Sequence, residues 1–240
     1  MKYQDRGLII TIDGPAGAGK STVARIIAQK LNYRYINTGD LYRYITYCAL
    51  TKKLDVKDSR EMDKLSIEIA KQFKEMSQED KKLERFFSLE GNIFNKTHSP
   101  EVDKYVSFVA QHQSVRKNLV SIQRILAEKG SVVVEGRDIG SVILPNADLK
   151  IFLTADEDTR ILRRYGELKK RNYTISFQEV KEEMIRRDCI DSKRKIAPLV
   201  KPIDAVIIDT SSKDIIEVSD IVLEKIKIYF KEKARGNNKS

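Results

Sequence analysis

Tryptophan is absent from this chain, cysteine and histidine occur only twice each, and proline five times. Cys48 and Cys189 sit in neither a CxxC nor a metal-ligand spacing, which excludes a disulfide framework and a thiolate metal site. Both read as plain thiols of a reducing compartment. His98 and His112 are too few and too isolated to build an imidazole metal site. No stretch approaches the ~18 apolar residues of a membrane span. The start, Met1-Lys2-Tyr3-Gln4-Asp5-Arg6, lacks the apolar core of a secretory signal, so the expected location is the cytoplasm. Internal repeats and low-complexity blocks are missing too. What remains is the composition of a soluble enzyme, with 41% hydrophobic and 33% charged residues in a chain of 240. That length suffices for one core carrying sizeable insertions.

The net charge of +10 is unevenly spread. Residues 160–175 carry +5, residues 184–201 carry +4, and residues 225–240 another +5. The last group ends in a polar tail expected to fray. It has no aromatic interleaving that would stack bases, so no dedicated nucleic-acid partner is expected. The first two clusters suit a cationic cover over a highly charged small anion.

The strongest local signal is Gly14-Pro15-Ala16-Gly17-Ala18-Gly19-Lys20-Ser21. An apolar run, Leu8-Ile9-Ile10-Thr11-Ile12, precedes it, and Thr22-Val23-Ala24-Arg25-Ile26-Ile27-Ala28 follows at helical spacing. A glycine-rich loop between strand and helix points successive N–H groups at phosphate oxygens, and the helix N-terminus adds partial positive charge. Residues Gly14 to Thr22 are therefore the expected ATP-binding loop. Lys20 is its charge on the outer phosphates and Ser21 its ligand to Mg²⁺. A dinucleotide loop is ruled out because Thr22 stands where the third glycine would be.

Short apolar runs alternate with amphipathic stretches, which predicts a parallel sheet flanked by helices. Strands are expected at Leu8–Asp13, Tyr33–Ile36, Ser131–Glu135, Leu149–Thr154 and Ala205–Asp209. Helices are expected at 20–31, 40–52, about 101–129, 156–170, 177–190 and 213–232. A parallel crossover needs only a dozen or so residues, so the long stretch between the second helix and the strand at 131 holds an insertion. Within it, Leu65, Ile69 and Phe73 lie at helical spacing in residues 58–80, and 83–94 read as a hairpin turning near Glu90-Gly91-Asn92. A second interruption, about 166–176, separates two arginine-bearing helices.

Four further clusters carry chemistry: Asn37-Thr38-Gly39-Asp40-Leu41-Tyr42-Arg43; Val106-Ser107 with Val115-Arg116; Glu135-Gly136-Arg137-Asp138-Ile139-Gly140; and Arg187-Asp188-Cys189-Ile190-Asp191-Ser192-Lys193-Arg194. A hydroxyl at Thr38 and a guanidinium at Arg43 suit a second phosphate. Arg137 stands after an apolar strand, where open α/β sheets place ligands, and can grip phosphate bidentately. Arg187, Asp191 and Arg194 share one helix face.

With these motifs the chain resembles the bacterial cytidylate kinases, within the nucleoside monophosphate kinase family, over nearly its whole length. The resemblance implies one P-loop domain over residues 1–240, a three-layer α/β fold with a five-stranded parallel sheet. It adds an acceptor-binding insertion at about 53–100 and a lid at about 160–176. The implied donor is ATP with Mg²⁺, and the implied acceptors are CMP and dCMP. Thr38 and Arg43 would bind the acceptor phosphate, with Tyr42 close by. Arg187 and Asp191 would hold the ribose and bridging phosphates, and Arg194 the base side. Asp138 favours the amino group of cytosine over the carbonyl of uracil, and Ser107 with Arg116 would complete that readout. Lys20, Arg137, Arg164 and Arg187 are the expected catalytic residues. Spacing alone leaves open which of Arg160, Arg163 and Arg164 reaches the transferred group.

The chain departs from the family pattern in four places. Thr38 replaces the usual serine, Glu135 the common aspartate, His98 the arginine usual before a Thr/Ser-Pro pair, and Ile190 the more polar residues common at its position. A monomer is expected. Competing readings are a kinase for UMP, AMP or a non-nucleotide metabolite, an ATPase stimulated by nucleic acid, and a non-catalytic nucleotide-binding module.

Overall fold

A computed structural model describes residues 7–79, 82 and 92–237. The chain runs β1 (Ile9–Asp13), α1 (Lys20–Leu31), β2 (Arg34–Asn37), α2 (Thr38–Thr51) and α3 (Ser59–Gln78). There follow α4 (Asn92–Thr97), α5 (Pro100–Val109), α6 (Gln113–Glu128), β3 (Val132–Gly136) and a π-helical turn, Ile139–Ile143. Last come β4 (Leu149–Thr154), α7 (Glu157–Lys170), α8 (Phe177–Lys193), β5 (Val206–Asp209) and α9 (Ile215–Asn237).

The strands form one sheet in the order β2-β3-β1-β4-β5, and every pairing is parallel. β1 and β3 are buried along their full length, as central strands covered on both faces must be. On one face, Ile36, Ile45, Val132 and Val134 pack with Leu119 and Ile122 of α6. Met62, Leu65, Ile69 and Phe73 of α3 join the same core, so the insertion is continuous with the main body. On the other face, Ile10, Ile12 and Val133 pack against Val23 and Ile27 of α1 and Val218, Val222 and Ile226 of α9. The result is a three-layer α/β fold with the phosphate loop at its central strand.

The five expected strands are present, with edges shifted by one residue or less. The expected helix at about 101–129 is two helices. His112 adopts extended backbone (φ −65°, ψ 122°), and its Nε2 lies 2.7 Å from the Val56 carbonyl oxygen. That tertiary anchor turns the chain where neither glycine nor proline marks a break. The expected hairpin at 83–94 falls outside the described residues except at its end, where Asn92, Ile93 and Phe94 are helical. Near the second interruption the helix continues to Lys170, leaving only 171–176 irregular. The terminal helix likewise runs on to Asn237.

Candidate active site

The loop after β1 closes onto α1 through backbone that a side chain would obstruct. Gly17 has φ 74°, and a Cβ there would lie 2.7 Å from the Arg160 carbonyl oxygen, so glycine serves both conformation and close approach. Gly19 (φ 87°) immediately precedes α1, which has no capping side chain and no acid in its first turn among the described residues. Its N–H groups are left for an anion. Lys20 is buried and donates to the Pro15 carbonyl oxygen at 2.7 Å. Burial, and then the nearby guanidinium of Arg137, hold its ammonium well below the ordinary lysine range.

Glu135, at the end of β3, is buried and gripped from two sides. The Tyr35 hydroxyl donates to Oε1, and the Ser21 hydroxyl donates to Oε2 at 3.0 Å. Thr38 Oγ1 donates to the Glu135 carbonyl oxygen at 2.8 Å, so in this state its proton is committed to the backbone. Beside Glu135, Asp13 accepts from the N–H groups of Ile139 (2.9 Å) and Gly140 (2.7 Å). Burial still raises its carboxyl to about 6, against those two hydrogen bonds.

A single cavity opens from this loop and is lined by Lys20, Ser21, Thr38, Tyr42, Arg43, Ser107, Arg116, Arg137, Asp138, Arg164, Arg187, Asp191 and Arg194. Every residue expected at the acceptor site therefore faces one space, together with Ala16 and Gly17 of the loop. Gly14, Pro15, Ala18, Gly19 and Thr22 are not among its lining. Ala18 is fully buried in the core beside α1, and Thr22 is exposed on the helix.

The arginines are organised around three aspartates. Asp138 is held by Arg116 and by Arg194, the latter at 3.1 Å. Asp191 takes Arg137 at 3.1 Å, with Arg194 and Arg187 at 3.9 and 4.0 Å. Asp103 takes Arg43 at 2.5 Å, Arg164, and Arg187 at 3.4 Å. Burial, then Arg137 and Arg43, lower the Arg187 guanidinium to about 10. A cation crowded by cations is a site arranged for an anion. The Ser107 hydroxyl, buried in the same lining, has no hydrogen-bond partner among the described residues. Tyr42 lies with its ring 5.6 Å from the Arg116 guanidinium, which puts it at the Asp138 end of the cavity.

Of the three arginines on α7, only Arg164 faces the cavity. Arg160 donates to the carbonyls of Ala155 and Ala16, each at 3.1 Å, and pairs with Asp188 on α8. Arg163 donates to Thr210 Oγ1 (2.9 Å) and the Thr210 carbonyl (2.6 Å). Both are braces. Sequence reasoning missed Asp103 and the Tyr35–Glu135–Ser21 chain. Asp103 had one legible signal: it precedes Ser107 by four residues and so shares its helix face. His98 is also in the lining, with Nε2 3.1 Å from Asp40 Oδ1.

A glycine-rich loop at the end of a central parallel strand faces a set of arginines across one cavity; the protein is a nucleotide kinase of the P-loop class. The family model for cytidylate kinase matches residues 10–228, and the chain belongs to the cytidylate kinase family. Cytidylate kinase of Bacillus subtilis (strain 168) is 42% identical over 92% of this chain and 97% of its own length. That of Clostridioides difficile (strain 630) is 45% identical over 92% and 99%. Among solved structures, shikimate kinase from Bacteroides thetaiotaomicron covers 92% of this chain and 98% of its own at 14% identity and a TM-score of 0.46, too distant a likeness to bear on function.

Proposed function

We propose that the protein transfers the γ-phosphoryl group of ATP to the phosphate of CMP or dCMP, giving ADP and the corresponding diphosphate, in pyrimidine nucleotide metabolism. The observation that carries this is the single cavity joining Lys20 and the open α1 N-terminus to Arg43, Arg137 and Arg187. Phosphoryl transfer is largely positioning and charge stabilisation. The acceptor phosphate has a second pKa of about 6 and is mostly dianionic at neutral pH, so no general base is needed. The obstacle is repulsion between two anionic reactants.

The loop from Gly14 to Thr22 holds the ATP phosphates, with Lys20 on the outer ones. Arg43 and Arg137 take the acceptor phosphate, and Thr38 shapes that end by tying α2 to the Glu135 carbonyl. Arg164 and Arg187 stand between the two and neutralise the charge that develops on the transferred group. Asp191 and Arg187 hold the ribose. Asp138 accepts from the cytosine amino group, while Ser107, Arg116 and Arg194 read the neighbouring edge. Tyr42 backs Arg116.

The Ser21 hydroxyl and the buried Glu135 carboxylate form an oxygen-only, anionic donor set that would suit Mg²⁺. Bound there with ATP, the ion would neutralise phosphate charge. The hairpin of α7 and α8 has its own small core of Ala16, Ile161, Leu168, Val180 and Met184, apart from the two main cores. Such a satellite unit opens at lower cost than the body, which supports reading residues 160–176 as part of a lid that excludes water. The proposed working form is a cytoplasmic monomer acting on small nucleotides.

The test is ADP formation from ATP and Mg²⁺ with CMP, dCMP, UMP, AMP, GMP or no acceptor. Turnover confined mainly to CMP and dCMP is expected. A flat panel with equal turnover in the blank means water is the acceptor, and the arginine roles fall.

A further inference from the structure

Asp103 is a buried carboxylate that ties Arg43 of the acceptor wall to Arg164 and Arg187 of the α7–α8 hairpin. It sits on α5 with its side chain 8% exposed. Oδ1 receives Arg43 from α2 at 2.5 Å and Arg187 from α8 at 3.4 Å, and Oδ2 receives Arg164 from α7. These three arginines come from three helices, and each is assigned above to phosphate. Burial alone would raise the Asp103 carboxyl, yet the three guanidiniums hold it well below the usual carboxylate range. Asp103 is the one carboxylate shared by all three; Arg164 also pairs with the half-exposed Glu167 at 2.7 Å and Arg187 lies 4.0 Å from Asp191, while Arg43 has no second carboxylate among the described residues. A second observation points the same way: Arg187 Nε is buried and has no hydrogen-bond partner among the described residues. The cage has more donors than Asp103 can satisfy.

We infer that Asp103 is a positioning residue that stands in for phosphate in the nucleotide-free protein, holding Arg43, Arg164 and Arg187 converged until the nucleotides take them over. It rests on the reading of this cavity as a phosphoryl-transfer site. Without a carboxylate here, three guanidiniums would face one another in a poorly hydrated space and splay apart. With it, incoming phosphates meet arginines already aimed, and Arg164 exchanges one anion for another as the lid closes. The groups facing Asp103 are these three arginines; His98, paired with Asp40, lies close to both Arg43 and Asp103, and Glu167 pairs with Arg164 at 2.7 Å. No further carboxylate pairs with Arg43 or Arg187 except Asp191 among the described residues.

The test uses inorganic sulfate as a phosphate-shaped probe, with sodium chloride at matched ionic strength as control, and thermal unfolding as the readout. For the parent protein, sulfate should act only weakly, through the open phosphate loop, because Asp103 already fills the cage; that shift is the baseline against which the variants are read. For Asp103→Asn the midpoint should fall in chloride and rise saturably in sulfate. That rise should be roughly 5–10 °C at sulfate a hundredfold above its dissociation constant. Asp103→Glu keeps the charge and should restore the weak sulfate response. In turnover, Asp103→Asn should lower kcat roughly 10- to 100-fold, since misplaced groups cost that much, while KM for CMP stays within about threefold.

An Asn variant that answers sulfate no more than the parent overturns the inference, as does an unchanged kcat. If the Asn variant is unfolded even in sulfate, the Glu variant decides. Its carboxylate reaches one methylene further, so kcat should drop about tenfold at near-constant KM, and a parent-like kcat overturns the inference. Parent protein that fails to phosphorylate CMP overturns the function instead, independently of the sulfate result.

Discussion

Arg160→Ala tests whether the phosphate loop depends on a brace it never shows to the ligand. The Arg160 side chain is 9% exposed, and its partner Asp188 is 22% exposed. The guanidinium also donates to the Ala16 carbonyl within the loop and to the Ala155 carbonyl at the end of β4, each at 3.1 Å. Removing one member of a buried ion pair typically costs ~3–5 kcal/mol, because the other charge is left uncompensated. Asp188 is partly wet, so water recovers some of that, and the lower end, about 3 kcal/mol, is expected. The two carbonyls also lose a charged donor, but these losses share one side chain and do not add. For a chain of this size each 1 kcal/mol moves the midpoint by ~2–4 °C, giving a fall of roughly 6–12 °C.

Calorimetric melting of Arg160→Ala, Asp188→Asn and the double variant measures the coupling, expected to exceed about 1 kcal/mol. Gly17 packs against the Arg160 backbone, and Ala16 is held by its side chain. KM for ATP should therefore rise several-fold while KM for CMP stays put. A midpoint lowered by less than about 2 °C, with KM for ATP unchanged, would refute the brace.

Three further outcomes follow from the same geometry. Asp138→Ala should erode the preference for CMP over UMP by roughly 10- to 100-fold, as one lost base-edge pair is worth ~1–3 kcal/mol, with a smaller loss of kcat; equal losses on both acceptors would remove it from base readout. Lys20→Ala should abolish transfer while leaving circular dichroism and a cooperative melt in place, and an active variant would take Lys20 out of the chemistry. Asp13, raised by burial to about 6, binds its proton more tightly folded than unfolded. Its contribution to stability is therefore fully present below about pH 4, the unfolded carboxyl value, and is lost as pH rises through about 6. Relative to Asp13→Asn, the parent should lose on the order of 3 kcal/mol between those limits in urea titrations, and parallel pH curves would contradict this.

Most of the site was legible without coordinates because its pieces are short and their spacing is local. Gly14 to Ser21 declares a phosphate loop by composition alone, and the apolar runs around it declare parallel strands buried on both faces. Arg187, Asp191 and Arg194 announce a shared face by helical periodicity. Those features are set within a turn or two of backbone, so a linear reading reaches them, and the membership of the cytidylate kinase family follows from the same motifs. Tertiary structure decided what periodicity cannot encode. Arg160, Arg163 and Arg164 look alike on one helix, yet two brace Ala16 and Thr210 while the third faces the cavity. The break at His112 depends on a carbonyl at Val56, far off in sequence. Tyr42 belongs with Arg116 at one end of the cavity, although its neighbour Arg43 points to Asp103 at the other. Asp103 itself carries no motif. Its position matters only because three helices distant along the chain deliver their arginines to it, and that convergence exists only once the sheet has brought them together.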